Sequence, residues 1–287
     1  MSIDTSVLLP TIVAPLKVAV VTGASAGIGL EIARGRAAQG ATVALVGRNR
    51  ERTEAARAAV GADAVFLADF AKLSDVRAVA AQLAAQYPRI DILVNNAGLA
   101  LWRRTVTADG FETTFAVNHL APFLLTNLLL PNLRAAPSAR IVTVASSAHK
   151  RGRLDFDNLQ RERGYLVYEA YAQSKLANIV FTRELARRIV GSGVTATCCH
   201  PGVVATHLWE VHPLLRLAAP LLGRFMLSAT QGADTPLWLA TAPDMEGQTG
   251  GYYARRTFLE PAPAARDAAA AARLWDLSAR LVGLPLA

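Results

Sequence analysis

Cysteine is nearly absent from this chain. The two residues, Cys198 and Cys199, sit side by side in an apolar run. Neighbouring residues of a strand point to opposite faces, which argues against a disulfide between them. They read as reduced thiols in a buried strand, in keeping with a reducing compartment, and a cytoplasmic location is expected. The histidines, at 119, 149, 200, 207 and 212, show no metal-site spacing, and no metal is expected. Acidic residues are outnumbered, 22 against 30, for a formal charge of +8. The basic excess forms no blocks. Arg34, Arg36, Arg52, Arg57, Arg183, Arg187 and Arg188 are scattered over Ala-rich helical stretches. That pattern fits solvated helix faces with room for a local anion site, and no nucleic-acid partner is expected. The apolar stretch at 214–227 is broken by Arg216, Pro220 and Arg224, so no stable membrane insertion is expected. No basic-then-apolar leader is visible at the N-terminus, so no secretory signal is predicted.

What the chain does have is apolar residues, 52% of its 287, in a regular alternation. Short β-branched runs at 17–21, 42–46, 64–67, 91–94, 140–144 and 194–199, with a short one at 252–253, alternate with helical stretches. The helices are expected to end near 39 and to cover 50–59, 73–86, 108–134 (interrupted near Pro122), 168–190, 228–241 and 266–281. Strands alternating with helices predict parallel βαβ units with right-handed crossovers. The expected fold is α/β: a single doubly wound Rossmann-type domain over 1–287, with a parallel seven-stranded sheet in order 3-2-1-4-5-6-7 and helices on both faces. Residues 1–15 read as an N-terminal extension. Leu274, Leu277 and Leu281 recur on one side of the last helix, which predicts docking onto the body.

The first strand runs into Thr22-Gly23-Ala24-Ser25-Ala26-Gly27-Ile28-Gly29. Glycine permits positive φ and close approach of a ligand, and a helix N-terminus behind the turn offers free N–H groups to a pyrophosphate. Between strand and helix, this is a dinucleotide-binding signal, with Gly23, Ser25, Ala26, Gly27, Ile28 and Gly29 as the contacts. An acidic residue after the second strand would hold an adenine-ribose 2′-hydroxyl and repel a 2′-phosphate. The chain instead has Gly47-Arg48-Asn49-Arg50. A guanidinium pairs with phosphate through two parallel hydrogen bonds, so NADP(H) is the expected cofactor and Arg48 its discriminator, the alternative being a plain surface charge. Asp69, followed by Phe70, comes after the third strand, either to meet the adenine end or to cap the next helix.

Tyr171-Ala172-Gln173-Ser174-Lys175 is the sharpest feature. Residues four apart share a helix face, and a cation beside a phenol favours the phenolate, which would give an acid/base near neutral pH. Tyr165 and Tyr168 lack such a partner at +4. Ser146-Ser147 follows the fifth strand, Asn95-Asn96-Ala97-Gly98 ends the fourth, Asn118 lies in the long helix between them, and Pro201-Gly202 ends the sixth.

This ordered set, spanning roughly 16–285, resembles the short-chain dehydrogenase/reductase family. The resemblance implies that Tyr171 transfers the proton and that Lys175 lowers its pKa and holds the nicotinamide ribose. It implies that Ser147 polarises the substrate oxygen and that Asn118 helps hold a water linking Lys175 to solvent. Asn95 would steady the sheet, Ala97 and Gly98 would lie beside the cofactor, and Pro201, Gly202, Val204 and Thr206 would neighbour the nicotinamide. The segment between Ser147 and Tyr171 is longer than the minimal pattern. Together with NHLAPFLLTNLLLP and LWDLSARLVG, it is similar to the branch of retinol dehydrogenases, WW-domain oxidoreductases and protochlorophyllide reductases, which act on bulky apolar substrates.

The expected reaction is NADP(H)-dependent interconversion of a ketone or aldehyde and its alcohol, as by a carbonyl reductase, on a hydrophobic substrate. The alternatives are a non-catalytic dinucleotide-binding regulator and a reductase of an activated C=C bond. The resemblance also makes a homodimer or homotetramer plausible. His149 and Trp209 are expected at the substrate mouth, with 205–228 as a covering segment that could equally pack on the core or a partner. His119 is expected to serve helix packing.

Overall fold

The structure, a computed structural model, describes residues 16–204 and 227–285. One sheet runs through it in the order β3-β2-β1-β4-β5-β6-β7-β8. The strands are β1 (Val18–Thr22), β2 (Thr42–Gly47), β3 (Ala64–Leu67), β4 (Ile92–Asn95), β5 (Ala139–Val144), β6 (Val194–Cys199), β7 (Tyr252–Ala254) and β8 (Thr257–Phe258). The first seven pair in parallel, in the expected order. The eighth was not expected. It pairs antiparallel with β7 across a two-residue turn at Arg255-Arg256, where both φ angles are positive, 51° and 56°. That left-handed pair makes the tight hairpin geometry. Glycine or asparagine normally announces it, and two arginines do not. Asp234 holds the turn through the Arg256 Nε, 2.9 Å away.

The helices are α1 (Gly27–Ala38), α2 (Arg50–Val60), α3 (Leu73–Gln86), α4 (Thr113–Arg134), α5 (Val167–Arg188), α6 (Ala229–Thr241) and α7 (Ala268–Leu281). Side chains of each strand alternate between the two faces, and the core divides accordingly. Ala19, Val21, Val43, Leu45, Ile92, Val94, Val142, Val144 and Cys199 meet α1, α2 and α6. Val20, Ala44, Val46, Leu93, Ile141 and Cys198 meet α3, α4, α5 and α7. The adjacent cysteines therefore lie in different cores, both free and fully buried.

The helix expected from 108 begins instead at Thr113, because Glu112 caps it by accepting from the N–H groups of Thr114 and Phe115 at 2.8 and 2.7 Å. Pro122 does not interrupt it. The preceding five residues, Ala116–Leu120, form a π turn in which Ala121 N–H reaches the Ala116 carbonyl, and the helix then continues through Pro122. Proline has no N–H to offer the carbonyl of Asn118, four residues back. Among the described residues, α4 alone is long and apolar enough to cross a bilayer, and 78% of its most apolar window is buried inside the fold. It lies at the centre of the larger core. α7 docks beside it. Leu274, Trp275 and Ser278 are buried, Trp275 meets Phe123 edge-on at 5.0 Å, and the Ser278 hydroxyl pairs with His119 Nε2 at 2.9 Å. His119 is wholly buried, and burial pushes its pKa down to about 3. It is a packing residue, as expected.

Candidate active site

Parallel strands deliver their carboxyl ends to one edge, where doubly wound proteins bind ligands. The carboxyl ends of β1, β4, β5 and β6 bring the glycine turn, the Asn95–Gly98 segment, Ser146 and Pro201-Gly202 to that edge.

The turn after β1 is built for a backbone ligand. Gly29 is so tightly placed that a Cβ would lie 2.4 Å from the Gly23 carbonyl oxygen and 2.5 Å from Asn96 Nδ2. Ala26 precedes α1 with no side-chain cap, and no acidic residue occupies the first turn. The helix N–H groups are thus left for an anion. Ser25 and Ile28 are half-buried and Ala26 is exposed. The turn is fastened to β4 by two residues that sequence reading did not single out. Thr22 Oγ1 accepts from the N–H groups of Asn96 and Ala97 at 3.0 and 3.1 Å, and Asn96 Nδ2 donates to the Thr22 carbonyl at 2.9 Å. Nothing in their spacing distinguishes them from ordinary strand-end polar residues. Asn95, beside them, is buried and donates to Thr126 Oγ1 at 2.9 Å, which ties β4 to α4.

Arg48 is exposed directly after β2, and the next residue, Asn49, caps α2 by accepting from Arg52 N–H at 2.9 Å. Asp69 does not cap α3, whose N-cap is Lys72. Its carboxylate accepts from Ala71 N–H at 3.1 Å and closes a turn. Phe70 is 7% exposed and belongs to the core.

Tyr171 and Lys175 lie one turn apart on α5, with the ammonium 5.7 Å from the phenol ring centre. Lys175 Nζ donates to the Val144 carbonyl at 2.9 Å. A Cβ on Gly98 would sit 3.3 Å from that ammonium and 3.2 Å from Asn118 Oδ1, so Gly98, Asn118 and Lys175 converge. Both N–H groups of the Asn118 amide are used. It donates to the Leu99 carbonyl at 2.8 Å and to Ser174 Oγ at 2.9 Å, and accepts from Leu99 N–H at 2.8 Å. Ser174 in turn donates to the Tyr171 carbonyl at 2.8 Å.

Two expectations need correction here. The tyrosine hydroxyl is hydrogen-bonded to the side chain of Ser146, where Ser147 was expected. Ser146 is extended, with φ −156° and ψ 154°, and continues the strand's direction. Ser147 starts a 3-10 turn over Ser147–Arg151. Second, burial pushes the Tyr171 pKa up to about 12, with the Ser146 bond opposing it. Burial also pushes Lys175 down to about 8. The lysine alone does not bring the phenol into the neutral range, because desolvation disfavours both charged forms.

His149 is likewise displaced from its expected place at the substrate mouth. It is 0% exposed, its Nδ1 lies 2.7 Å from the Ser146 carbonyl, and its Nε2 accepts from Ala262 N–H at 3.2 Å. Val204 is buried beside α6, against which a Cβ on Gly232 would come within 2.6 Å of its methyl group. Pro201 and Gly202 are half-buried. Thr206 and Trp209 lie outside the described residues, as does 205–226 of the covering segment.

The extra length between Ser147 and Tyr171 packs along the start of α5. Gly152 approaches so closely that a Cβ would lie 2.5 Å from the Ala172 carbonyl oxygen. Gln173 donates to the Leu159 carbonyl at 2.8 Å, and Arg161 pairs with Glu169 at 3.0 Å. Tyr165 donates to the Leu101 carbonyl at 2.7 Å, joining this segment to the loop after β4.

A doubly wound sheet with a glycine turn after its first strand defines a dinucleotide-binding α/β protein. A family model described as short chain dehydrogenase matches residues 17–213. Retinol dehydrogenase 12 of Mus musculus is 41% identical over 94% of this chain and 87% of its own length. Dehydrogenase/reductase SDR family member 13 of Bos taurus is 44% identical over 93% of this chain and 74% of its own. Among solved structures, an uncharacterized protein from Mycobacterium paratuberculosis aligns with TM-score 0.79 and 35% identity over 94% of this chain and 95% of that one. The Pseudomonas aeruginosa RhlG/NADP active-site complex aligns with TM-score 0.66 and 27% identity over 82% and 93%. The chain belongs to the short-chain dehydrogenase family, whose members are oxidoreductases that use a nicotinamide dinucleotide.

Proposed function

We propose that this chain is an NADP(H)-dependent oxidoreductase that interconverts a hydrophobic ketone or aldehyde and its alcohol. Tyr171, Lys175, Ser146 and Asn118 form the working set. The observation that carries the reading is the meeting of a phenol, a serine hydroxyl and a buried ammonium at the sheet edge that also holds the glycine turn. The bound dinucleotide supplies or accepts the hydride. Tyr171 gives its proton to the carbonyl oxygen in reduction and takes it back in oxidation. With a pKa near 12 the hydroxyl stays protonated at neutral pH, the form that reduction needs. Ser146 donates to the same oxygen and so favours the charge that builds there. Lys175 brings a positive charge to the floor of the site. Both N–H groups of the Asn118 amide are engaged, and Pro122 offers the Asn118 backbone carbonyl no N–H. That backbone carbonyl is the acceptor assigned to a water relay from Lys175.

Arg48, exposed where an adenine ribose would lie, supports the phosphorylated cofactor through two-pronged pairing. The relative solved as an NADP complex points the same way. Retinol dehydrogenase 12 of mouse and of human, 41% and 42% identical, support a bulky apolar alcohol or aldehyde.

The test is a panel of hydrophobic aldehydes, ketones and secondary alcohols, followed by absorbance of the reduced nicotinamide, with wild type and Tyr171→Phe. Turnover by wild type and loss of at least about 10³-fold in the variant, with NADPH still bound, is the expected result. Tight NADPH binding without turnover on any substrate would leave a non-catalytic binder, and saturated products from enones would reassign the reaction to C=C reduction.

A further inference from the structure

We propose that His149 is a positioning residue that fixes the peptide of Ser146 and so aims its hydroxyl at Tyr171. The inference rests on the reading of Ser146 given above. His149 is wholly buried and stacks edge-on to Tyr252 with ring centres 4.9 Å apart, so it meets no substrate. Its two ring nitrogens are both engaged, and the partners fix the tautomer. The Ala262 N–H can only donate, so Nε2 accepts at 3.2 Å. The one proton of the neutral ring is then on Nδ1, which donates to the Ser146 carbonyl at 2.7 Å. Burial lowers the histidine pKa, and Lys150 beside it adds to that, which keeps the ring in this form.

The Ser146 carbonyl thus receives two donors from one residue, the ring at 2.7 Å and the His149 backbone N–H at 3.1 Å. On the other side of the same peptide, Ser146 Oγ accepts from Ala148 N–H at 3.2 Å. With its carbonyl held twice and its hydroxyl once, the residue keeps one orientation. That orientation is what places the hydroxyl against Tyr171. Ala262 lies between β8 and α7, so the clamp also links the C-terminal part of the chain to the reacting group.

A hydroxyl displaced by a fraction of an ångström loses much of its rate contribution, so the effect falls on kcat. The experiment is a double-mutant cycle of His149→Phe with Ser146→Ala, plus His149→Asn. The asparagine amide nitrogen can occupy the Nδ1 position and restore that donor. Melting temperature and NADPH stoichiometry are measured on every variant. His149→Phe is expected to lower kcat about tenfold or more with NADPH binding intact. The same change in the Ser146→Ala background is expected to cost less than about twofold, because no hydroxyl remains to be aimed. His149→Asn is expected to recover kcat to within about threefold of wild type.

Equal losses in both backgrounds, a kcat unchanged in His149→Phe, or a kcat that follows melting temperature regardless of the donor would overturn the role. Failure of the underlying reading looks different. There, Ser146→Ala itself leaves kcat untouched, or the wild type turns over nothing, and either result also removes the role assigned to His149.

Discussion

Helices α1 and α5 lie on opposite faces of one sheet and serve the same crevice by opposite means. α1 contributes backbone. Its start is Gly-Ile-Gly, its first turn carries no charged cap, and what matters is the absence of a Cβ at Gly29. α5 contributes side chains. Gln173, Ser174, Lys175, Asn178, Thr182 and Glu184 are all at most 4% exposed, an unusual polar load for a buried helix. Buried polar groups are tolerated only when bonded, and Ser174, Lys175, Thr182 and Glu184 each find a partner on α5 or an adjoining element. A backbone site is therefore sensitive to added bulk, while a side-chain site is sensitive to lost function.

Lys175→Met tests the side-chain half most severely. Turnover is expected to fall by at least about 10³-fold. Stability moves the other way. Burial holds the lysine near pKa 8 against an ordinary 10.5, so below pH 8 the fold pays to keep it charged, and folding strengthens as pH rises from 8 toward 10.5. Methionine removes that cost. A gain of about 1–2 kcal/mol at pH 7 in urea denaturation is expected, shrinking above pH 8. Wild-type reduction is expected to decline above pH 8 as the ammonium loses its proton, well before Tyr171 ionises near 12. A basic limb unchanged in Lys175→Met would separate that limb from the lysine.

The paired serines sharpen the same half. Ser146→Ala is expected to lower kcat by about 10²-fold or more, and Ser147→Ala by less than about threefold, in steady-state assays. The reverse ranking would return the role to Ser147. On the backbone half, Gly29→Ala is expected to weaken dinucleotide binding by about tenfold and to destabilise the fold by about 1–3 kcal/mol, because the new methyl meets a backbone carbonyl and the hydrogen-bonded Asn96 amide. Titration of NADPH fluorescence alongside thermal melting reads both. Arg48→Asp is expected to act on one cofactor alone. NADPH affinity should drop about tenfold with NADH little affected, and equal effects on the two would end its part in cofactor choice.

Much of this was legible in the chain itself. The alternation of β-branched runs placed seven strands to within a residue or so, because each must bury both faces, and the glycine turn and the Tyr–Lys spacing follow from local geometry. Other features depend on neighbours that are remote in sequence. Ser146 could not be told from Ser147, since the choice turns on where the strand stops and the 3-10 turn begins. His149 could not be told from a substrate residue until Ala262 and Tyr252 closed over it. The β7–β8 hairpin hid behind two arginines because Asp234, on another helix, holds a turn that local propensity disfavours. The phenol's pKa likewise was read from its charged neighbour and was decided by burial.

The sequence by itself determined the succession of strands and helices along the chain and the residue types available at the site, because these depend on periodicity and on φ preferences within a few residues. Only the tertiary structure decided which of those residues meet, which are sealed in and how burial shifts their protons. Those outcomes depend on solvent being excluded by elements that are distant along the chain.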